Sequence, residues 1–145
     1  MKITIQQIPV EENEIILKYS KLDSEMLQIL AFLKESTAKI AAKKGEEIFL
    51  LTPDEVYFVD YVDNKTFIYT KDDVLESSES LARLESRYEN FGIVRIGKSQ
   101  LVNLHHVKKL KSILYSRIEI TLESGDILIV SRHYAQAFKN YLDIK

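Results

Sequence analysis

Phe91-Gly92-Ile93-Val94-Arg95-Ile96-Gly97-Lys98-Ser99-Gln100-Leu101-Val102-Asn103-Leu104 is the stretch on which the reading of this chain turns. Its segment from Gly92 to Ser99 satisfies the phosphate-loop pattern G-x-x-x-x-G-K-S letter for letter. Such a loop wraps backbone N–H groups around phosphates. It needs a strand before the first glycine and a helix after the Lys-Ser pair. The four residues between the glycines here are Ile93, Val94, Arg95 and Ile96. They are mostly β-branched and favour an extended strand over a loop. Gln100 to Leu104 is no strong helix start, and only 46 residues follow Ser99. That is too few for the parallel sheet of a nucleotide hydrolase. A Walker-B-like run, Val56–Asp60, precedes the motif and reads as an edge of the β layer. The stretch is therefore expected as two short strands, Ile93–Ile96 and Leu101–Leu104. A P-loop nucleotide-binding protein is kept only as the weakest alternative.

Strand signals continue on both sides. Upstream, Glu46–Leu51, Val56–Tyr61 and Thr66–Thr70 are separated by Thr52-Pro53-Asp54 and Asp63-Asn64-Lys65, both turn-forming. Residues 77–88 read as a helix with Leu81, Leu84 and Tyr88 on one face and Ser77 or Ser78 as its cap. Downstream, Ser112–Leu122 and Asp126–Val130 flank the hairpin turn Ser124-Gly125-Asp126. Residues 133–142 form a closing helix with Tyr134, Ala137, Phe138 and Tyr141 on one face. At the other end, residues 2–8 and Glu14–Tyr19 alternate as strands, broken by Pro9 and Glu11-Glu12-Asn13. Asp23 or Ser24 then caps a helix to residue 36, striped by Leu22, Met26, Ile29, Leu30 and Leu33. Leu27, Ala31 and Phe32 widen that stripe beyond what one buried face needs, so packing on a sheet and pairing with a second copy both stay open. The class is mainly β (α+β), antiparallel, with a few helices.

Composition limits what such a chain does. Its 145 residues, 46% apolar and 29% charged, make one domain and a modest extension. No cysteine is present, which excludes disulfides, zinc–thiolate sites and thiol catalysis. No apolar run has the length of a membrane span, and the first residues lack a signal-peptide core. The net charge of −2 hides an asymmetry: residues 1–90 hold 11 basic and 18 acidic side chains, residues 91–145 hold 9 and 4. A +5 segment binds phosphates locally even on a −7 partner, because charges are screened beyond about 8 Å in physiological salt. No catalytic constellation is found. The G-x-S-x-G pattern is absent, and adjacent His105 and His106 diverge on a strand and chelate a metal poorly. Asp60 and Asp63 read as a solvated turn. No cofactor, metal or catalytic residue is expected.

Phe91 to Leu110, with Arg95, Ser99 and Asn103 at their spacing, resembles the LytTR DNA-binding domain family of bacterial transcription regulators. Leu122 to Tyr134 is similar to the family's closing strand and Ser-Arg turn, and Asp54 to Thr66 to its early hairpin. The resemblance runs over residues 45–144, in order. It implies LytTR-like elongated antiparallel sheets with short helices, here preceded by a strand-strand-helix extension. It implies that loops, not a helix, enter the major groove. Carried over by position, the reading loops are Asn64-Lys65-Thr66, Lys98-Ser99-Gln100 with Arg95 beside it, and Arg132-His133-Tyr134. The residue chemistry agrees: Arg and Lys donate to guanine O6 and N7, and hydroxyls suit phosphates. Thr66 and Lys98 stand where some relatives place His, or Asn or His, so the preferred bases are not inherited. Lys108, Lys109 and Lys111 are either a solvated face or phosphate contacts.

The domains expected are residues 1–44, a dimerisation or regulatory extension, and residues 45–145, the DNA-binding domain. Residues 1–44 are too short for a phosphoacceptor receiver, so a single-domain type is expected. The partners implied are double-stranded DNA carrying direct repeats, a second copy as homodimer, and a membrane-protein antagonist of the kind that controls some relatives. Direct membrane insertion is not expected, and the location is cytoplasmic. The alternative is a protein-interaction module on the same fold.

Overall fold

Period-two burial builds this molecule. In Arg117-Ile118-Glu119-Ile120-Thr121-Leu122 every second residue is buried, which turns one face of the strand inward. The structure, a computed structural model, describes residues 1–11, 13–36 and 39–144. In chain order its elements are α1 (Ser24–Ser36), β1 (Ile40–Lys44), β2 (Glu47–Leu51), β3 (Phe58–Val62), β4 (Lys65–Tyr69), β5 (Val74–Ser77) and α2 (Leu81–Tyr88). Then follow β6 (Ile93–Gly97), β7 (Gln100–Asn103), β8 (Val107–Ile113), β9 (Arg117–Leu122), β10 (Ile127–Val130) and α3 (Arg132–Tyr141). A seven-stranded sheet has the order β2-β1-β5-β4-β3-β7-β6, and a three-stranded sheet the order β10-β9-β8. Every pairing is antiparallel.

The central strands of the large sheet are covered on both faces. Val59, Leu101 and Ile93 point into a core closed by Leu81, Leu84 and Tyr88 of α2. Their neighbours Phe58, Val102, Val94 and Ile96 point into a second core shared with Ile118, Ile120 and Leu122 of the small sheet and with Phe138 of α3. Two-sided burial explains why Ile93-Val94 and Leu101-Val102 are unbroken apolar pairs.

Several expectations change. Residues 2–8 and 14–19 form no strands: Ile3, Ile5, Ile15 and Ile16 are exposed and no neighbouring strand pairs with them among the described residues. A strand needs such a partner for its N–H and C=O groups. Strand β5 takes up Ser77, so α2 starts later, and Ser80 caps it by accepting from the Arg83 N–H at 3.2 Å. Residues 112–122 are two strands, broken where Tyr115 and Ser116 adopt φ of 64° and 57°. Val56–Asp60 leads into β3, an interior strand between β4 and β7, not an edge. Ala137 is exposed, and Ala135 takes its place beside the expected Phe138 and Tyr134 on the packed face of α3. The large sheet begins at Ile40, whose side chain is buried with that of Ala42. Asp23 caps α1, accepting from the Met26 N–H at 3.0 Å, while Leu27 and Phe32 remain half-exposed.

Candidate nucleic-acid interface

In the fold the phosphate-loop pattern is a β-hairpin. Ile93–Gly97 is strand β6 and Gln100–Asn103 is strand β7, so Lys98 and Ser99 are the turn of a β-hairpin. A strand and not a helix directly follows Ser99, so the strand–loop–helix geometry of a phosphate loop is not built here. Gly92 sits apart, at φ 91°, where a Cβ would come within 3.0 Å of the His105 ring. His105 and His106 lie on a short 3-10 turn, not a strand, and do diverge: His106 stacks on Tyr57 with centroids 3.9 Å apart.

Hydrogen bonds bring three distant loops to one end of the molecule. Strands β3 and β7 run antiparallel with Asp60 opposite Gln100. One residue on, the Tyr61 N–H donates to the Ser99 carbonyl at 2.9 Å, so the Asp63-Asn64 turn projects beyond Lys98-Ser99. On the other side of β6, the Ser131 N–H donates to the Ile96 carbonyl at 2.9 Å. This places the first turn of α3 beside the same hairpin. Asp63 and Asn64 adopt φ of 52° and 63°, the left-handed pair of a tight two-residue turn that Asn and Asp tolerate.

The expected site residues divide by what their side chains do. Asn64, Lys65, Lys98, Ser99, Arg132 and His133 are exposed at this end. Lys65, Lys98 and Arg132 form no ion pair among the described residues. Thr66 does not join them: it is 4% exposed, because period two turns it inward on β4. Arg95 is engaged inside the chain. Its Nε donates to Glu85 Oε1 of α2 at 3.2 Å and its Nη1 to the Lys98 carbonyl at 2.8 Å. It therefore braces the turn rather than reaching out. Gln100 gives its amide N–H to Asp60 Oδ1. Tyr134 is half-buried against the second core, and His133 meets its ring edge-on at 4.9 Å. Lys108 and Lys109 are exposed at the start of β8, beside Leu122 and the 123–126 turn, the end away from the loops. Lys111 pairs with Glu119 at 3.4 Å.

Sequence reasoning missed Tyr61, which is 42% exposed on the projecting hairpin with its hydroxyl on Asn64 Oδ1 at 3.3 Å. Its strand-like context masks that its end of β3 overhangs β7. No group of three or more His, Cys, Asp or Glu that could hold a metal occurs among the described residues. No described helix is long and apolar enough to cross a membrane.

Comparison with known proteins agrees with this architecture. The chain is 23% identical over 139 residues to the sensory transduction protein LytT of Bacillus subtilis, covering 94% of this chain and 58% of that protein. It is 26% identical over 112 residues to the sensory transduction protein LytR of Staphylococcus saprophyticus, covering 77% of this chain and 44% of that protein. The chain thus spans about half the length of these relatives. A solved LytTr DNA-binding domain, from a methyl-accepting/DNA response regulator of Bacillus cereus, superposes with a TM-score of 0.69 at 21% identity. That likeness covers 73% of this chain and 97% of the other and shows the shared fold. Residues 46–143 match the family described as LytTr DNA-binding domain, and the chain belongs to that family.

Proposed function

We propose that this chain is a sequence-specific, non-enzymatic transcription regulator that reads duplex DNA in the major groove with its loops. Family membership makes it a DNA-binding regulator in kind. The observation that carries the finer reading is the gathering of Asn64-Lys65, Lys98-Ser99 and Arg132-His133 along one end through the Tyr61–Ser99 and Ser131–Ile96 hydrogen bonds. Uncommitted Lys and Arg side chains at that end suit guanine edges and phosphates. Thr66 is left out of the contact set because it is buried. Arg95 and Gln100 act as positioning residues for the hairpin, through Lys98 and Asp60.

A pair of modules on direct repeats fits a reader this small, because linking two modest sites raises affinity through effective concentration. Residues 1–39 are the proposed association segment. Their exposed Ile3, Ile5, Ile15, Leu27 and Phe32 support either a second copy or a protein antagonist in a cytoplasmic setting.

The test is selection of duplexes from a randomised pool, followed by binding across a salt series. Arg132→Ala should lose about 1–3 kcal/mol against the selected duplex and relax one base position. Unchanged affinity and unchanged selectivity would refute the assignment.

A further inference from the structure

The β8–β9 connection, Leu114–Ser116, reaches the same end of the molecule as the three loops. Ile113 lies opposite Arg117 in one ladder, and Ile118 opposite Val130 in the next, one residue before Ser131. Helix α3 packs against this turn. Two features set it apart. Tyr115 adopts φ 64°, a left-handed conformation that a bulky residue takes at a cost. Yet neither apolar side chain is buried in return: Leu114 is 75% and Tyr115 78% exposed. Beside them the Arg117 guanidinium lies 5.8 Å from the Tyr115 ring centroid, and its Nε donates to the Leu114 carbonyl at 3.1 Å. Its two terminal nitrogens have no partner among the described residues. The turn is thus an exposed apolar tip with an arginine fork, packed against α3, the helix that Arg132 opens.

We propose that this turn is a fourth DNA contact, to the sugar–phosphate backbone flanking the segment that Arg132 reads; the inference rests on the DNA-reading function above. Arg117 donates its terminal N–H groups to a phosphate, and Tyr115 and Leu114 lie against deoxyribose carbons. Two observations favour DNA as the occupant. The tip continues the row of loops at that end, and a cation beside an apolar surface complements a backbone that alternates anionic phosphates with apolar sugar faces. A backbone contact carries no base information, so it adds affinity and footprint without selectivity.

The experiment uses the full chain, a duplex selected from a randomised pool by that chain, and an unrelated duplex of equal length. Tyr115→Gly is the key variant, because glycine adopts the positive φ freely and keeps the turn while deleting the ring. Its melting temperature should be unchanged or higher. Tyr115→Gly and Arg117→Ala should each weaken both duplexes by a similar factor, about 3–10-fold. Arg117→Ala should also flatten the dependence of log affinity on log salt by about one unit. Hydroxyl-radical protection should be lost at one flank of the footprint. Wild-type affinity, slope and footprint in both variants, while Arg132→Ala binds weakly, overturn the fourth contact alone. If Arg132→Ala and Lys98→Ala also bind as wild type, the DNA-reading assignment itself falls, and this one with it. Loss of a dimer in Tyr115→Gly, with backbone protection intact, assigns the tip to a second copy and likewise overturns the proposal.

Discussion

Asn103 offers a quantitative test of the scaffold. It is fully buried at the end of β7, and its amide ties that strand to the turn before β3. The Nδ2 donates to the Val56 carbonyl at 2.9 Å and the Pro53 carbonyl at 3.2 Å, and Oδ1 accepts from the His105 N–H at 3.0 Å. Asn103→Leu keeps the volume roughly and removes all three bonds. The Pro53 carbonyl retains the Val56 N–H at 3.2 Å, so the Val56 carbonyl is the buried group left without a donor. An orphaned buried acceptor costs about 1–3 kcal/mol, and the lost bond to His105, which is nearer solvent, about 0.5–1.5 kcal/mol. The expected destabilisation is about 1.5–4.5 kcal/mol, a large part of the ~5–15 kcal/mol typical of a folded domain. At about 2–4 °C per kcal/mol for a chain of this size, the melting temperature should fall by roughly 3–18 °C. Urea denaturation followed by circular dichroism measures the loss. Asn103 lies at the opposite end of β7 from the Lys98-Ser99 turn, so the folded variant should bind a selected duplex within about twofold of wild type, about 0.4 kcal/mol. A destabilisation below about 0.5 kcal/mol, within the range of an ordinary surface substitution, refutes the hydrogen-bond reasoning. A tenfold loss of DNA affinity in folded protein refutes the separation of scaffold from interface.

Gly92→Ala should cost about 1–3 kcal/mol, because the residue holds φ 91° and a Cβ would press the His105 ring at 3.0 Å; chemical denaturation reads this directly. The Tyr141 hydroxyl is pushed up to about 12, first by its hydrogen bond to Glu89, then by desolvation. Its ordinary value is 10.0, so the contribution is whole below pH 10 and fades as pH rises through 12. Tyr141→Phe should therefore flatten the decline of stability over pH 10–12, by well under about 1 kcal/mol for so exposed a pair. Replacing Lys108 and Lys109 together by Ala should leave DNA affinity and salt slope unchanged, since both sit at the far end of β8; a slope reduced by about two units would place them on phosphates. Removal of residues 1–39 should leave a folded monomer, measured by sedimentation at micromolar concentration, where the intact chain is expected to dimerise.

Much of the architecture was legible in the chain itself, because period-two burial and turn chemistry are local. Asp63-Asn64 and Ser124-Gly125-Asp126 announced hairpins, and the β-branched run Ile93–Ile96, with no helix start after Ser99, argued against a phosphate loop at Gly92–Ser99. The Phe91–Leu110 stretch likewise pointed to the family found at residues 46–143. What stayed hidden depends on neighbours distant in sequence. Alternation at residues 2–8 and 14–19 resembles strands, but a strand exists only where another edge offers hydrogen bonds. The break at Tyr115-Ser116 carries no Gly, Pro or Asn to signal it, so packing of β9 against β10 and α3 imposes it. The same holds for the site. Residue type made Arg95, Gln100 and Thr66 as eligible as Lys98 and Arg132. Only the folded chain shows Arg95 and Gln100 committed to Glu85, Lys98 and Asp60, and Thr66 turned into the core. Which side chains face outward at a common end is set by strand register and by the hydrogen bonds joining β3, β7, β6 and α3, and no local pattern encodes that sum.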